Sequence, residues 1–313
     1  MNTKSVALLT AIVCLILLTS YRTRKPDDVY TRGLEILNYT KSPYQSICLA
    51  RDKDTNHMCM FLNGVIQNHT KEYNRSHYAM VDIPIKLLNK KPNSILILGG
   101  GDGYPAMRAL KQKNAYIKNV EIDDTLINFV KTNHIMRKLT QDSFNNPRLD
   151  LVAMDAYNYI YNEKRKYDLI IHDIELHTNN TVKEFKSHDD YILENLLNDG
   201  GILNYTQDLY GDIPEFEKIY KKYKKYKKIS NKKHCVALLQ TKEEFDTFNK
   251  SCIFDVNNLK ERYPNSEIGM VIYDLKCSCG VYQYREELYF YISKQPFSRS
   301  NRDIEFIPFT SLI

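Results

Sequence analysis

Apolar and polar positions give the chain three textures. Residues 6–21, VALLTAIVCLILLTSY, are apolar throughout, with no charge and no amphipathic period. Residues 33 to about 70 break into short runs of strand type. One run, HMCMFLNGVIQ, holds Asn63-Gly64, a dipeptide suited to a tight hairpin because both residues tolerate positive φ. A small antiparallel β unit is predicted there. Ser76 to Leu88 reads as helical and is broken by Lys90, Lys91 and Pro92.

From Ser94 strands and helices alternate. ILILGG is a short apolar run of the buried-strand kind. YPAMRALKQ is next, a helix with Pro105 near its start, where a missing N–H costs nothing. NAYIKNVEID is a second strand. A helix comes after it, with Leu126, Phe129 and Val130 on one face. RLDLVAMD and KYDLIIHD are a third and a fourth strand, and YILENLLNDGGILNYTQD reads as a helix, a Gly-Gly turn and a fifth. This alternation predicts a parallel sheet with right-handed crossovers, in which ligands sit at the carboxyl ends of the strands.

Four strands end in an acid: Asp102, Glu121, Asp155 and Asp173. One such acid is unremarkable and is explained by helix capping, the reading that suits Asp123 or Asp124. Four on one rim form a constellation. Glu121 stands twenty positions after Gly101, the spacing at which a carboxylate takes ribose hydroxyls. Asp155 is placed to accept a bond from an adenine amino group. Together they outline a nucleoside pocket. Asp102, inside LGGGDG, argues against a phosphate, because like charges in a poorly solvated turn repel by several kcal/mol (order of magnitude). A nucleoside that is neutral or positive at this end fits, such as a sulfonium carrying an amine tail.

In order along the chain, SPYQSI, LNGVIQ, LGGGDG, VEID, MDAYNYI, YDLIIHD and LLNDGGILNYTQ resemble the successive motifs of the aminopropyltransferases, the spermidine and spermine synthases. The resemblance runs from about residue 33 to 210, with a further patch near 263. It implies an α/β, Rossmann-like methyltransferase fold with a parallel-core sheet, preceded by a small antiparallel β domain. It also implies transfer of an aminopropyl group from decarboxylated S-adenosylmethionine, as co-substrate, to putrescine or another polyamine. No permanent cofactor and no metal are expected, and a homodimer is. Gln45 would bond the donor ribose, Asp102 the donor ammonium, and Glu121 both ribose hydroxyls. Asp155 and Ala156 would meet adenine. His77 would lie beside the aminopropyl group and the polyamine. Asp173 would be the catalytic acid group, and Tyr263, in RYPNSEIGM, the tyrosine near the substrate amine.

The acceptor side departs from the family pattern. The usual D-x-x-D-P is DIELH here, so Leu176 and His177 replace the second Asp and the Pro, with Glu175 as a substitute acid. SHY stands where YHE or YQE is usual, which puts Ser76 and Tyr78 in place of an aromatic wall and a carboxylate. Two rival readings therefore stay open. One is adenosylmethionine-dependent methyl transfer; the other is a relative that keeps the nucleoside pocket and has lost the acceptor site.

Charge and termini add less. The net charge is +6 over 313 residues. The one dense basic block, residues 220–234, has Tyr220, Tyr223, Tyr226 and Ile229 every three residues among lysines. This predicts a surface helix with a solvated basic face, for which membrane contact is the sharper alternative and nucleic acid is not expected. Residues 6–21 are shorter than the ~20 residues of a typical span. They read as a single-pass anchor with the main domain cytoplasmic, or as a cleaved signal of a secreted or lumenal protein. Cys48, Cys59, Cys235 and Cys252 read as free thiols among apolar neighbours. The domain layout expected is 1–25 anchor or signal, 26–85 β-hairpin domain and 86–313 catalytic domain.

Overall fold

The computed structural model describes residues 33–70, 76–174, 188–208, 216–229, 232, 234–241, 243–244, 256–277 and 283–311. The chain divides into two compact units. Residues up to His69, with 278–281, make one; Thr70–Cys277 with residues 282–313 make the other.

The first unit contains a four-stranded antiparallel sheet in chain order: β1 (Leu34–Lys41), β2 (Ser46–Asp52), β3 (Met58–Leu62) and β4 (Val65–His69). Asn63 and Gly64 both take positive φ, 48° and 74°, and turn β3 into β4. Ile47 to Ala50 of β2 and Cys59 and Met60 of β3 are buried. Cys59 is disulfide-bonded, which corrects its reading as a free thiol; Cys48 and Cys235 are free and buried.

The second unit begins with a helical segment. Ser76 and His77 lead into a π-helical turn, Tyr78–Asp82, and then α1 (Ile83–Leu87). Next come β5 (Ser94–Gly99), α2 (Tyr104–Ala109), β6 (Tyr116–Glu121), α3 (Asp124–Thr132), α4 (His134–Leu139), β7 (Leu149–Ala153), α5 (Ala156–Asn162) and β8 (Tyr167–Asp173). A second π-helical turn, Ile192–Leu196, leads into β9 (Leu197–Asp208). The remainder is α6 (Phe216–Ile229), β10 (His234–Leu239), α7 (Val256–Arg262), β11 (Glu267–Cys277), β12 (Gln283–Ser293) and β13 (Ile304–Pro308).

Among the described residues the strands form one nine-stranded sheet in the order β13-β10-β11-β12-β9-β8-β5-β6-β7. From β9 to β7 all neighbours are parallel. The apolar runs explain why: Ile95 to Leu98 and Leu169 to Ile171 are fully buried, as strands covered on both faces must be. The other half is mixed. β12 runs against β9, β11 against β12 and β10 against β11, while β13 is parallel to β10.

α6 packs through Ile219 and Tyr223, whose hydroxyl donates to the Cys235 carbonyl at 2.6 Å, and turns Lys218, Lys221, Lys224, Lys225 and Lys228 outward. The membrane assignment needs correction. Among the described residues no helix is long and apolar enough to cross a membrane, and Ile219 and Tyr223 of α6 are buried in the fold while Tyr226 is exposed. The apolar stretch 6–21, on which the single-pass reading rested, lies outside the described residues.

Candidate active site at the carboxyl rim of the large sheet

The parallel strands deliver the four acids to one rim. Gly99 pairs with Asp173 at the ends of β5 and β8, and Glu121 with Ala153 at the ends of β6 and β7. Asp102 lies three residues beyond Gly99, and Asp155 two beyond Ala153.

The turn after β5 is possible only with glycine at two points of close approach. Gly99 has φ +83°, and a Cβ there would stand 2.1 Å from the Asp173 carbonyl oxygen. A Cβ on Gly101 would stand 2.6 Å from Glu121 Oε2 and 2.5 Å from Leu126 Cδ2. The Asn119 side-chain amide donates to the Gly99 carbonyl at 2.6 Å and holds the turn from below.

Asp102 is buried. Its Oδ1 accepts the Tyr104 backbone N–H at 3.0 Å, and its Oδ2 lies 3.3 Å from His77 Nε2. The His77 ring stacks on Tyr104, centroids 5.0 Å apart, and its Nδ1 shares a 3.4 Å bond with the Ser76 hydroxyl. His77 and Asp102 are thus in direct contact, a pairing that their separation in sequence does not announce.

Glu121 is also buried, and its Oε1 accepts the Asp123 backbone N–H at 2.9 Å. Burial pushes its pKa up to about 7, against the opposing pull of backbone N–H groups of Asp123, Ile122 and Gly101. A carboxyl in this state gains from any further hydrogen-bond donor brought to it. Asp123 caps α3 by accepting from Leu126 N, as expected. Asp155 caps α5 in the same way, accepting from Asn158 N at 2.9 Å. The capping role therefore extends to one of the four rim acids, and the other oxygen of Asp155 has no part in that bond.

Two apolar side chains beside these acids were not singled out in the sequence. Ile122, after Glu121, is 38 % exposed and Met154, before Asp155, is 45 % exposed. Large apolar residues left open beside two acids suit a flat, apolar ring with polar edges. The only sequence signal is their place next to a strand-end acid.

Tyr78 does not stand in for a carboxylate on this rim. Its ring stacks on His234 at 4.8 Å, with Lys86 5.4 Å and Arg108 5.2 Å from its centroid. Arg108 is itself paired with Asp82. Ala156 is buried at the start of α5. Gln45 belongs to the small sheet's unit, at the β1–β2 turn, where its N–H donates to Ser42 Oγ at 3.0 Å. Glu175, Leu176 and His177 lie outside the described residues.

Tyr263 requires a correction. It precedes β11, whose first residue, Glu267, pairs with Ser293 at the end of β12. Its ring lies 5.5 Å from the ammonium of Lys294, which donates to the Leu197 carbonyl at 3.0 Å. Leu197 pairs with Tyr167, the first residue of β8, whereas Asp173 is the last. Seven strand residues at ~3.3 Å each separate the two levels by roughly 20 Å. Tyr263 is therefore on the amino rim. Asp168 is there too, fully engaged by the Asn93 N–H at 2.7 Å, the Asn198 amide at 2.9 Å and Lys90 at 3.4 Å. In β11 it is Val271, paired with Tyr289 opposite Thr206, that comes level with the carboxyl end of β8.

A Rossmann-like sheet with a glycine-rich turn and acids gathered at its carboxyl rim defines the class: an α/β protein built on a methyltransferase-type core. Residues 74–254 match the spermine/spermidine synthase domain, and the chain belongs to that family. The polyamine aminopropyltransferase 2 of Aquifex aeolicus (strain VF5) is 34 % identical over 171 residues, 54 % of this chain and 34 % of that protein. The polyamine aminopropyltransferase of Sulfurisphaera tokodaii is 34 % identical over 143 residues, 45 % of this chain and 46 % of that protein. The chain thus spans less than half the length of these two relatives. Among solved structures, spermidine synthase from Thermotoga maritima superposes with a TM-score of 0.57 at 16 % identity, over 89 % of this chain and 84 % of that one. A spermidine synthase in complex with the transition-state analogue AdoDATO gives 0.55 at 15 % identity, with the same coverage. These two likenesses establish the shared fold.

Proposed function

We propose that the protein transfers an aminopropyl group from decarboxylated S-adenosylmethionine to a polyamine acceptor such as putrescine. The observation that carries this reading is Asp102: a buried carboxylate in the glycine-rich turn, held by the Tyr104 N–H and faced by His77. A phosphate or a second carboxylate entering that turn meets like charge, whereas an ammonium gains a charge-assisted hydrogen bond. Glu121 takes the ribose hydroxyls. Adenine lies on Ile122 and Met154, with its amino group toward Asp155 and its edge against Ala156. His77 flanks the aminopropyl chain.

In the reaction an uncharged amine nitrogen attacks the carbon bonded to the sulfonium sulfur. The new C–N bond forms as the C–S bond breaks, the electron pair neutralises the sulfur, and methylthioadenosine leaves. Asp173 orients the amine and accepts the proton it sheds. Fixing two cationic partners with anionic groups lowers the entropic part of the barrier. Glu175 is the acid proposed for the far end of the acceptor. A homodimer is the proposed assembly.

The test is calorimetric binding of decarboxylated and intact adenosylmethionine to the full chain, followed by mass spectrometry of reactions with putrescine, spermidine and longer amines. The decarboxylated donor binds more tightly and yields an aminopropylated amine. Equal or tighter binding of intact adenosylmethionine, with methylated product, would establish methyl transfer instead. Donor binding with no product from any amine would establish a nucleoside-binding relative without turnover.

A further inference from the structure

We propose that Tyr157 is a positioning residue for Asp173, a single aromatic post that contacts both His172, the residue before Asp173, and His188, ahead of β9. The proposal rests on the aminopropyl-transfer reading, which gives Asp173 its role. Tyr157 lies on the first turn of α5, and its hydroxyl is 3.2 Å from His172 Nε2. His172 is the residue immediately before Asp173. It is buried between its ladder neighbours, paired with Leu98 of β5 and Tyr205 of β9. The other contact comes from ahead of β9. The His188 ring stacks on Tyr157 with centroids 4.2 Å apart and planes 17° apart. Tyr161, one helical turn along α5, bonds His188 Nδ1 through its hydroxyl at 2.6 Å and keeps that imidazole in place.

A half-buried tyrosine hydroxyl commonly bonds a backbone carbonyl or water. Here the ring of Tyr157 meets His172, which adjoins the acid at the rim, through its hydroxyl, and His188 through its face. Burial, with His188 nearby, lowers the His172 pKa to about 4, so the imidazole is neutral and the Tyr157 bond persists throughout the neutral range. Loss of that bond frees the last residue of β8 from its inner neighbour while leaving the Gly99 turn and Glu121 untouched. The consequence falls on orientation of the attacking amine and spares donor binding.

The experiment compares Tyr157→Phe, which keeps the stack and loses the hydroxyl, with Tyr157→Leu, which loses both. Steady-state kinetics of the full chain with decarboxylated adenosylmethionine and its best amine are measured beside methylthioadenosine affinity. Expected are a fall in kcat of about 10-fold for Tyr157→Phe and about 100-fold for Tyr157→Leu, with donor KM and methylthioadenosine Kd within twofold of wild type. His172→Gln, which can still bond the phenol, retains most activity; His172→Leu matches Tyr157→Phe, and the double variant is no worse than either. Unchanged kcat, or donor affinity falling in step with kcat, overturns the proposal. If wild type turns over no amine, the functional reading fails by itself, and the post is then tested by amide hydrogen exchange. Exchange at residues 170–174 accelerates at least 10-fold in Tyr157→Leu at unchanged melting temperature; equal exchange rates overturn it.

Discussion

Asp168 and Glu121 are two buried carboxyls on the same sheet, one near its amino rim and one on its carboxyl rim. They differ in what faces them: an ammonium reaches Asp168, whereas Glu121 meets backbone N–H groups with the Asp123 carboxyl nearby. Asp168 takes a backbone N–H, a side-chain amide and an ammonium, so its capacity is filled from within the chain. Glu121 is met by backbone N–H groups, those of Asp123, Ile122 and Gly101, and burial still pushes it up to about 7. Asp102 accepts the Tyr104 N–H and faces the His77 imidazole. A carboxyl paired with a cation of its own chain is a structural joint, whereas one whose pKa burial raises gains from donors that a ligand brings. On the proposed reading the carboxyl rim is the binding edge and the amino rim the scaffold.

Substitutions on the two rims should separate these roles. Asp173→Asn is expected to have the largest effect, a loss of turnover of about 10²–10⁴-fold with methylthioadenosine affinity nearly unchanged; near-normal turnover in a rapid-quench assay would place the base elsewhere. Asp102→Ala should weaken the decarboxylated donor by roughly 10–100-fold and methylthioadenosine by less than about threefold, because only the first carries an ammonium. Equal losses measured by calorimetry would remove the ammonium from the Asp102 assignment.

Glu121→Gln tests the buried carboxyl through stability. The folded state keeps a proton up to about 7, whereas the unfolded chain releases it near 4.5. Wild-type stability therefore falls as pH rises through that window, while the Gln variant has no such group to ionise. The variant is expected to be more stable than wild type at pH 8, by at most about 3 kcal/mol, and to lose the advantage at pH 4. Urea melts at the two pH values check this, and a variant less stable at both would show that the donors already satisfy Glu121. Asp168→Ala is the opposite case. It should cost about 1–3 kcal/mol in the same melts, by stranding the Asn93 N–H, and leave nucleoside affinity alone. The smallest effect belongs to Tyr263→Phe, with kcat and both KM values within about twofold; a larger change in kcat would bring Tyr263 back to the reaction.

The parallel half of the sheet is legible in the sequence because its strands are buried on both faces and so appear as uninterrupted apolar runs, as in SILILG and YDLII. Strand direction then places Asp102, Glu121, Asp155 and Asp173 on one rim without knowledge of any contact. The mixed half has apolar runs too, CVALL of β10 and YFYI of β12, but they do not give strand direction. β11 carries Glu267, Asp274 and Lys276, and β12 carries Arg285, Glu286 and Glu287. Their hairpin reverses which rim a neighbouring residue belongs to. RYPNSEIGM matched a familiar pattern at the foot of β11, and no local signal tells foot from tip. The contacts of His77 with Asp102, and of Tyr157 with His172 and His188, join separate elements and are set by packing, which periodicity does not encode. Asp155 shows the converse: a capping residue and a ligand-facing residue have the same sequence signature.

Gly99 has a consequence for how the two halves of the rim vary over time. With the Asp173 carbonyl oxygen 2.1 Å from where a Cβ would stand, no side chain enters at this position without moving the end of β8. The donor turn and the strand that presents Asp173 are thereby a single mechanical inheritance. On the aminopropyl-transfer reading, a lineage is free to redraw the sequence beyond Ile174, as DIELHT illustrates, but any change at Gly99 is felt on both sides of the reaction at once. On that reading new amine preferences are reached by changing residues after Asp173, with the glycine seam held constant.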